Sequence, residues 1–207
     1  MNLFISYLFT DPPLFFAVSV IVVFSVCAHE FTHAWTATLC GDNTASDAGY
    51  LTFNPFRQMG VWSLITFAIF GLAWGRVPVN TANFTKKWQM VVTALSGPLC
   101  NLLLTQVFSL LMLISVGFVD NDFAVRMLFQ AIVINYLLFL INILPLPGLD
   151  GNAVLNAILP RSFDSETARG ALFMLIVLLF VFFNTIASFF QQIAYWEVEF
   201  LGRLIYG

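Results

Sequence analysis

Four apolar runs, roughly Phe15–Leu39, Trp88–Gly117, Phe123–Leu144 and Ala171–Ala194, dominate this chain. Each is long enough to cross the hydrocarbon core of a bilayer, which takes about 20 helical residues. A soluble domain could not hide that much apolar surface. Of the 207 residues 60% are hydrophobic and only 9% charged, against about 25% charged in ordinary soluble domains. The expected fold is an all-α polytopic membrane protein with about four transmembrane helices. It forms a single domain over 1–207, with its core at about 14–160.

Charge placement sets the expected sidedness. Arg57, Arg76, Lys86 and Lys87 lie between the first and second runs, and Arg161 and Arg169 between the third and fourth. Only Arg126 and Arg203 fall at the opposite ends, so the six-to-two excess faces the cytoplasm by the positive-inside rule. Both termini then lie outside, in what is expected to be the cell membrane. A fifth run, Val61–Trp74, is too short to cross comfortably and is bracketed by Gly60 and Gly75. A full crossing would split the basic residues on its flanks across the membrane, so a re-entrant or interfacial helix is expected. Alternation in Tyr50-Leu51-Thr52-Phe53 predicts a short β element over Gly49–Phe53, whose edge could pair with an extended peptide.

The net charge of −3 and the absence of a basic tract exclude nucleic acid as a partner. Cys27, Cys40 and Cys100 have neither metal-type nor disulfide-type spacing. The N-terminus lacks the basic region of a cleavable signal.

The chemistry lies in the first run. His29 and His33 are the only two histidines, four residues apart in SVCAHEFTHAWTATLC, a stretch free of helix breakers. On a helix such residues share one face a turn apart, so both imidazoles can reach one metal ion. Glu30, beside the first ligand, is placed to take a proton from a water at that metal. It is the only acidic residue inside any of the four runs. A carboxylate at membrane depth costs a few kcal/mol or more and is functional by default.

A catalytic zinc typically takes three protein ligands, and with no third histidine a carboxylate must serve. The best candidate is Asp150, in Asn142-Ile143-Leu144-Pro145-Leu146-Pro147-Gly148-Leu149-Asp150-Gly151. There the prolines end the third run and the glycines allow turns. By the charge count this loop reaches the same membrane side as the C-terminal end of the first helix. Asn142 is the candidate amide donor to a developing oxyanion. Gly97-x-x-x-Asn101 reads as close helix packing with a polar anchor.

These residues together resemble the site-2 protease family of intramembrane metallopeptidases. His29–His33 matches its HExxH motif, Asn142 through Gly151 its proline-rich Asp-Gly motif, and Ser96-Gly97-Pro98-Leu99-Cys100-Asn101 the Gly-Pro motif of its second core helix. Gly41-Asp42 through Asn54-Pro55, then Val77-Pro78-Val79-Asn80, is similar to the short bacterial and archaeal branch without accessory domains. After Asn54-Pro55 the chain departs from that branch, reading Phe56-Arg57-Gln58-Met59-Gly60 in place of a His-x-Asp-Pro-like stretch. The resemblance implies zinc held by His29, His33 and Asp150, with Glu30 as general base. It also implies hydrolysis of peptide bonds within or near transmembrane segments of protein substrates. The alternative is a metal-binding pseudo-protease that holds membrane clients without cleaving them; an intact Glu30 argues against it.

Overall fold

A computed structural model describes residues 3–118, 121–158, 170, 174, 177–178, 181 and 183–206. It divides into two compact units, residues 1–101 and 102–207. Among the described residues three helices are long and apolar enough to cross a membrane. They are α1 (Pro12–Leu39), α3 (Lys87–Phe118) and α4 (Asp122–Ile143). These coincide with the first three apolar runs to within a few residues. Most of the fourth, Ala171–Ala194, lies outside the described residues; its C-terminal part enters a further helix, Phe183–Tyr206.

In the first unit, α1 starts where Asp11 accepts a hydrogen bond from Leu14 N and two prolines occupy the first helical positions. There their missing N–H groups cost nothing. The first half of α1 leaves Phe16, Val20 and Phe24 exposed, as lipid-facing side chains would be. From Ser25 to Ala37 the helix is largely enclosed, and that half carries the two histidines. Gly41, at φ +98°, ends the run in the left-handed region that glycine tolerates. The start of α3 is tied back to this point by Gln89. Its Oε1 accepts from the Thr85 and Lys86 amides, while its Nε2 donates to Cys40 O at 2.7 Å.

The short fifth run forms α2 (Gly60–Phe70), which stops at Gly71 rather than continuing to Gly75. Eleven residues rise about 16 Å, roughly half of a ~30 Å hydrocarbon core. After α2 the chain returns to its own beginning. Ser63 Oγ accepts from Trp74 N at 2.9 Å and donates to Trp74 O at 2.6 Å, and Arg76 N donates to Gln58 O at 3.0 Å. A segment whose two ends are hydrogen-bonded to each other has not crossed a bilayer. The re-entrant or interfacial expectation agrees with this geometry.

The β element does not form. Gly49–Phe53 is a bent turn, and no strand occurs among the described residues. The reason is Gln58: its buried side-chain amide donates to both Tyr50 O and Thr52 O at 2.8 Å. Those carbonyls would otherwise need a partner strand. Thr52 N folds back to Tyr50 O, and Thr52 Oγ1 takes the Asn54 amide.

In the second unit, Asn121 caps α4 by accepting from the Phe123 and Ala124 amides. Ile132 and Val133 of α4 form a buried core with Phe190 and Ala194 of the C-terminal helix. Beside that core, the Glu197 carboxylate accepts from Ser109 Oγ at 3.0 Å and from the Tyr136 hydroxyl. The loop after α4 turns through Gly148 (φ +87°) into α5 (Asp150–Ile158). A Cβ at Gly151 would fall 2.2 Å from Ile143 O, so only glycine lets α5 fold back against the end of α4.

The closed return of α2 yields a topological prediction. Single cysteines replacing Arg57 and Arg76, in a chain lacking Cys27, Cys40 and Cys100, should react with a membrane-impermeant maleimide from the same side. Labelling from opposite sides would show that this segment crosses.

Candidate metal centre

His29, Glu30 and His33 lie in the enclosed half of α1 with 5%, 8% and 7% of their surface exposed. The helical spacing puts the two imidazoles on one face. Each ring is then fixed through its Nδ1 atom. His33 Nδ1 lies 2.7 Å from the Thr93 carbonyl, which can only accept, so His33 carries its proton there. His29 Nδ1 lies 2.6 Å from Asn101 Oδ1. The Asn101 amide is oriented by its Nδ2, which faces Ser25 O at 3.5 Å, so its oxygen faces the imidazole. Both acceptors come from α3.

With the protons held at Nδ1, both Nε2 atoms present lone pairs, and these stand 3.0 Å apart. Nitrogens about this far apart can share one zinc ion, whose zinc–nitrogen bonds run about 2.0–2.1 Å. A Cβ built on Gly97 would fall 2.3 Å from His33 Nε2 and 2.6 Å from His29 Nε2. Glycine therefore lets the α3 backbone pack directly against both ring nitrogens. A neutral imidazole whose far nitrogen donates to a carbonyl is also the usual state of a zinc-bound histidine.

Glu30 occupies the next position along the helix. Its side chain lies under Gly75, where a Cβ would approach Glu30 Cγ to 2.3 Å and Oε1 to 2.4 Å. Three residues of the expected constellation, His29, Glu30 and His33, thus share one enclosed site within the first unit.

The other two belong to the second unit. Asp150 is the first residue of α5 and is half-buried. Asn142, near the end of α4, donates from Nδ2 to Leu138 O at 2.9 Å. One of its two amide hydrogens is therefore held by its own helix.

Two functional contacts exceed the sequence reading. Asn101 is fully buried and sets the tautomer of His29, a role beyond that of a packing anchor. Thr93 acts through its backbone carbonyl, which no residue pattern reveals. The only sequence signal for Asn101 is an amide four residues after Gly97 in an apolar run.

Gly97→Val should drive a side chain into both Nε2 atoms and abolish stoichiometric zinc in the purified protein. Asn101→Leu should leave the helix intact yet weaken zinc affinity about 10- to 100-fold, as loss of such outer partners typically does. Chelator competition measures both, and full zinc retention in Gly97→Val would refute this geometry.

Comparison with known proteins agrees with this reading. The model of peptidase family M50 matches residues 17–124, which include the histidine pair and all of its α3 partners. The chain is 31% identical over 203 residues to "Putative zinc metalloprotease YwhC" of Bacillus subtilis, covering 91% of this chain and 89% of that protein. It is 30% identical over 197 residues to "Putative zinc metalloprotease Rip2" of Mycobacterium tuberculosis, covering 86% and 71%. No solved structure matches. The buried Nε2 pair with its adjacent carboxylate is thus a candidate zinc site, and the chain belongs to peptidase family M50, the site-2 protease family.

Proposed function

We propose that the chain is an intramembrane endopeptidase that hydrolyses peptide bonds within or near transmembrane segments of other membrane proteins. The observation that carries this reading is Glu30: a carboxylate enclosed in an apolar helix, one position from a histidine pair whose lone pairs converge. A protein that only bound metal would not need an acid at that depth. Asp150 completes the ligand set, supported by its place in the proline-rich loop and by the need for a third donor. A fourth crossing over 171–194 and a catalytic site opening toward the cytoplasm, in the cell membrane, follow from the distribution of lysine and arginine.

His29, His33 and Asp150 would hold the zinc, which would supply Lewis acidity toward the scissile carbonyl and toward water. The chain's own groups do the rest. Glu30 accepts the proton of the attacking water as its oxygen bonds to the carbonyl carbon. It then delivers that proton to the amide nitrogen as the carbon–nitrogen bond breaks. The free amide hydrogen of Asn142 is the candidate donor to the oxyanion. Asn101 and the Thr93 carbonyl keep both imidazoles in the ligating tautomer throughout.

A panel of single-span membrane proteins, incubated with the purified chain in detergent or proteoliposomes, tests the reading. Glu30→Gln should keep its zinc and lose cleavage by about 10²-fold or more. Asp150→Ala should lose zinc and cleavage together. Undiminished processing by Glu30→Gln would rule the mechanism out.

A further inference from the structure

Between α2 and α3 the chain runs from Leu72 to Asn80 without helix or strand, and midway along this strap Gly75 lies against the Glu30 side chain. The strap is secured at three points. Ser63 holds both backbone polar groups of Trp74, and the Gln58 carbonyl takes the Arg76 amide. These two ties flank Gly75 directly. The third tie is at the far end, where Asp42 Oδ2 accepts from Asn80 N at 2.7 Å.

Asp42 is fully buried, and all of its described bonds are to donors. Oδ1 accepts from Thr44 N at 3.1 Å, Thr44 Oγ1 at 2.5 Å and Asn83 Nδ2 at 2.7 Å. The Thr44 pair is a local turn that an exposed aspartate could make equally well. The Asn80 and Asn83 bonds instead join points 38 and 41 residues apart. A carboxylate is the group this position demands, because an amide would turn an NH2 toward a donor. Burial alone would disfavour the charge. The hydrogen bonds from Thr44, Asn83 and Asn80 outweigh it and hold the carboxyl below the ordinary aspartate range.

We infer that Asp42 is a positioning residue for Glu30: together with the Ser63 and Gln58 ties it fixes the 72–80 strap, whose Gly75 lies against the base. This rests on the metalloprotease reading, in which Glu30 transfers the proton. Glutamate has three side-chain torsions, and a backbone lying in contact with its Cγ and Oε1 removes most of the alternatives. Releasing the strap removes this contact from the carboxylate, while the histidines, held separately from α3, stay in place. The effect should therefore fall on kcat, with zinc content and KM preserved.

The test uses the full-length protein in detergent micelles, with a single-span substrate that the unaltered chain cleaves. Asp42→Ala should speed hydrogen exchange of the 74–80 amides by tenfold or more. It should lower kcat about 10- to 100-fold, with KM within about twofold and zinc still stoichiometric. The exchanged pair Asp42→Asn/Asn83→Asp can again accept from Asn80 N while donating to position 83. It should recover much of kcat relative to Asp42→Asn alone. It also serves as the decisive variant if Asp42→Ala does not fold. A freely exchanging strap with unchanged kcat would overturn the inference, as would a loss of kcat that always accompanies loss of zinc. Neither result touches the metalloprotease reading, which stands or falls on Glu30→Gln.

Discussion

The convergence of two imidazole lone pairs is the interaction on which the first unit depends. Both rings are fastened from behind. The Thr93 carbonyl and Asn101 amide oxygen hold the Nδ1 protons, which forces Nε2 toward Nε2. Everything near the end of α1 serves that arrangement. Gln89 pins the start of α3 to the last turn of α1, and Gly97 lets the two helices approach where the nitrogens meet. The energetic logic is that of an apolar interior: a buried polar atom without a partner costs about 1–3 kcal/mol, so its orientation is sharply defined.

The same rule governs the segment between α1 and α3. Enclosed irregular backbone must find internal partners. Here they are the enclosed side chains of Ser63, Gln58 and Asp42. Ser63 closes the α2 hairpin, Gln58 caps the turn at Tyr50 and Thr52, and Asp42 collects the far end. Each replaces a contact that a sheet would have provided. That is why a region with β-like alternation remains a set of turns.

The parts legible in the sequence are those with short-range causes. The bounds of α1, α3 and α4 follow from continuous apolar runs ended by Asp11-Pro12, Gly41 and Asn121. The pairing of His29 with His33 follows from helical periodicity alone. What stayed hidden depends on long-range partners. Nothing within 60 residues of His33 points to the Thr93 carbonyl, and Asn101 resembles any packing amide until His29 is placed opposite it. The strand expected at Gly49–Phe53 failed for the same reason. Four alternating residues weigh less than one glutamine side chain arriving from Gln58.

Three glycines show how such a site is assembled when space is the scarce resource. At Gly97 the missing Cβ lets the α3 backbone lie against both Nε2 atoms, and at Gly75 it is the room taken by Glu30. At Gly151 it lets the helix that begins with Asp150 turn back against the carbonyls ending α4. In each case backbone stands where a side chain would be, next to a residue assigned to the chemistry. A backbone contact is stiffer than one made through a rotatable side chain, because it moves only with the element that carries it. Fixing a carboxylate and two imidazoles against helix and strap backbone is therefore a route to preorganisation within the first unit.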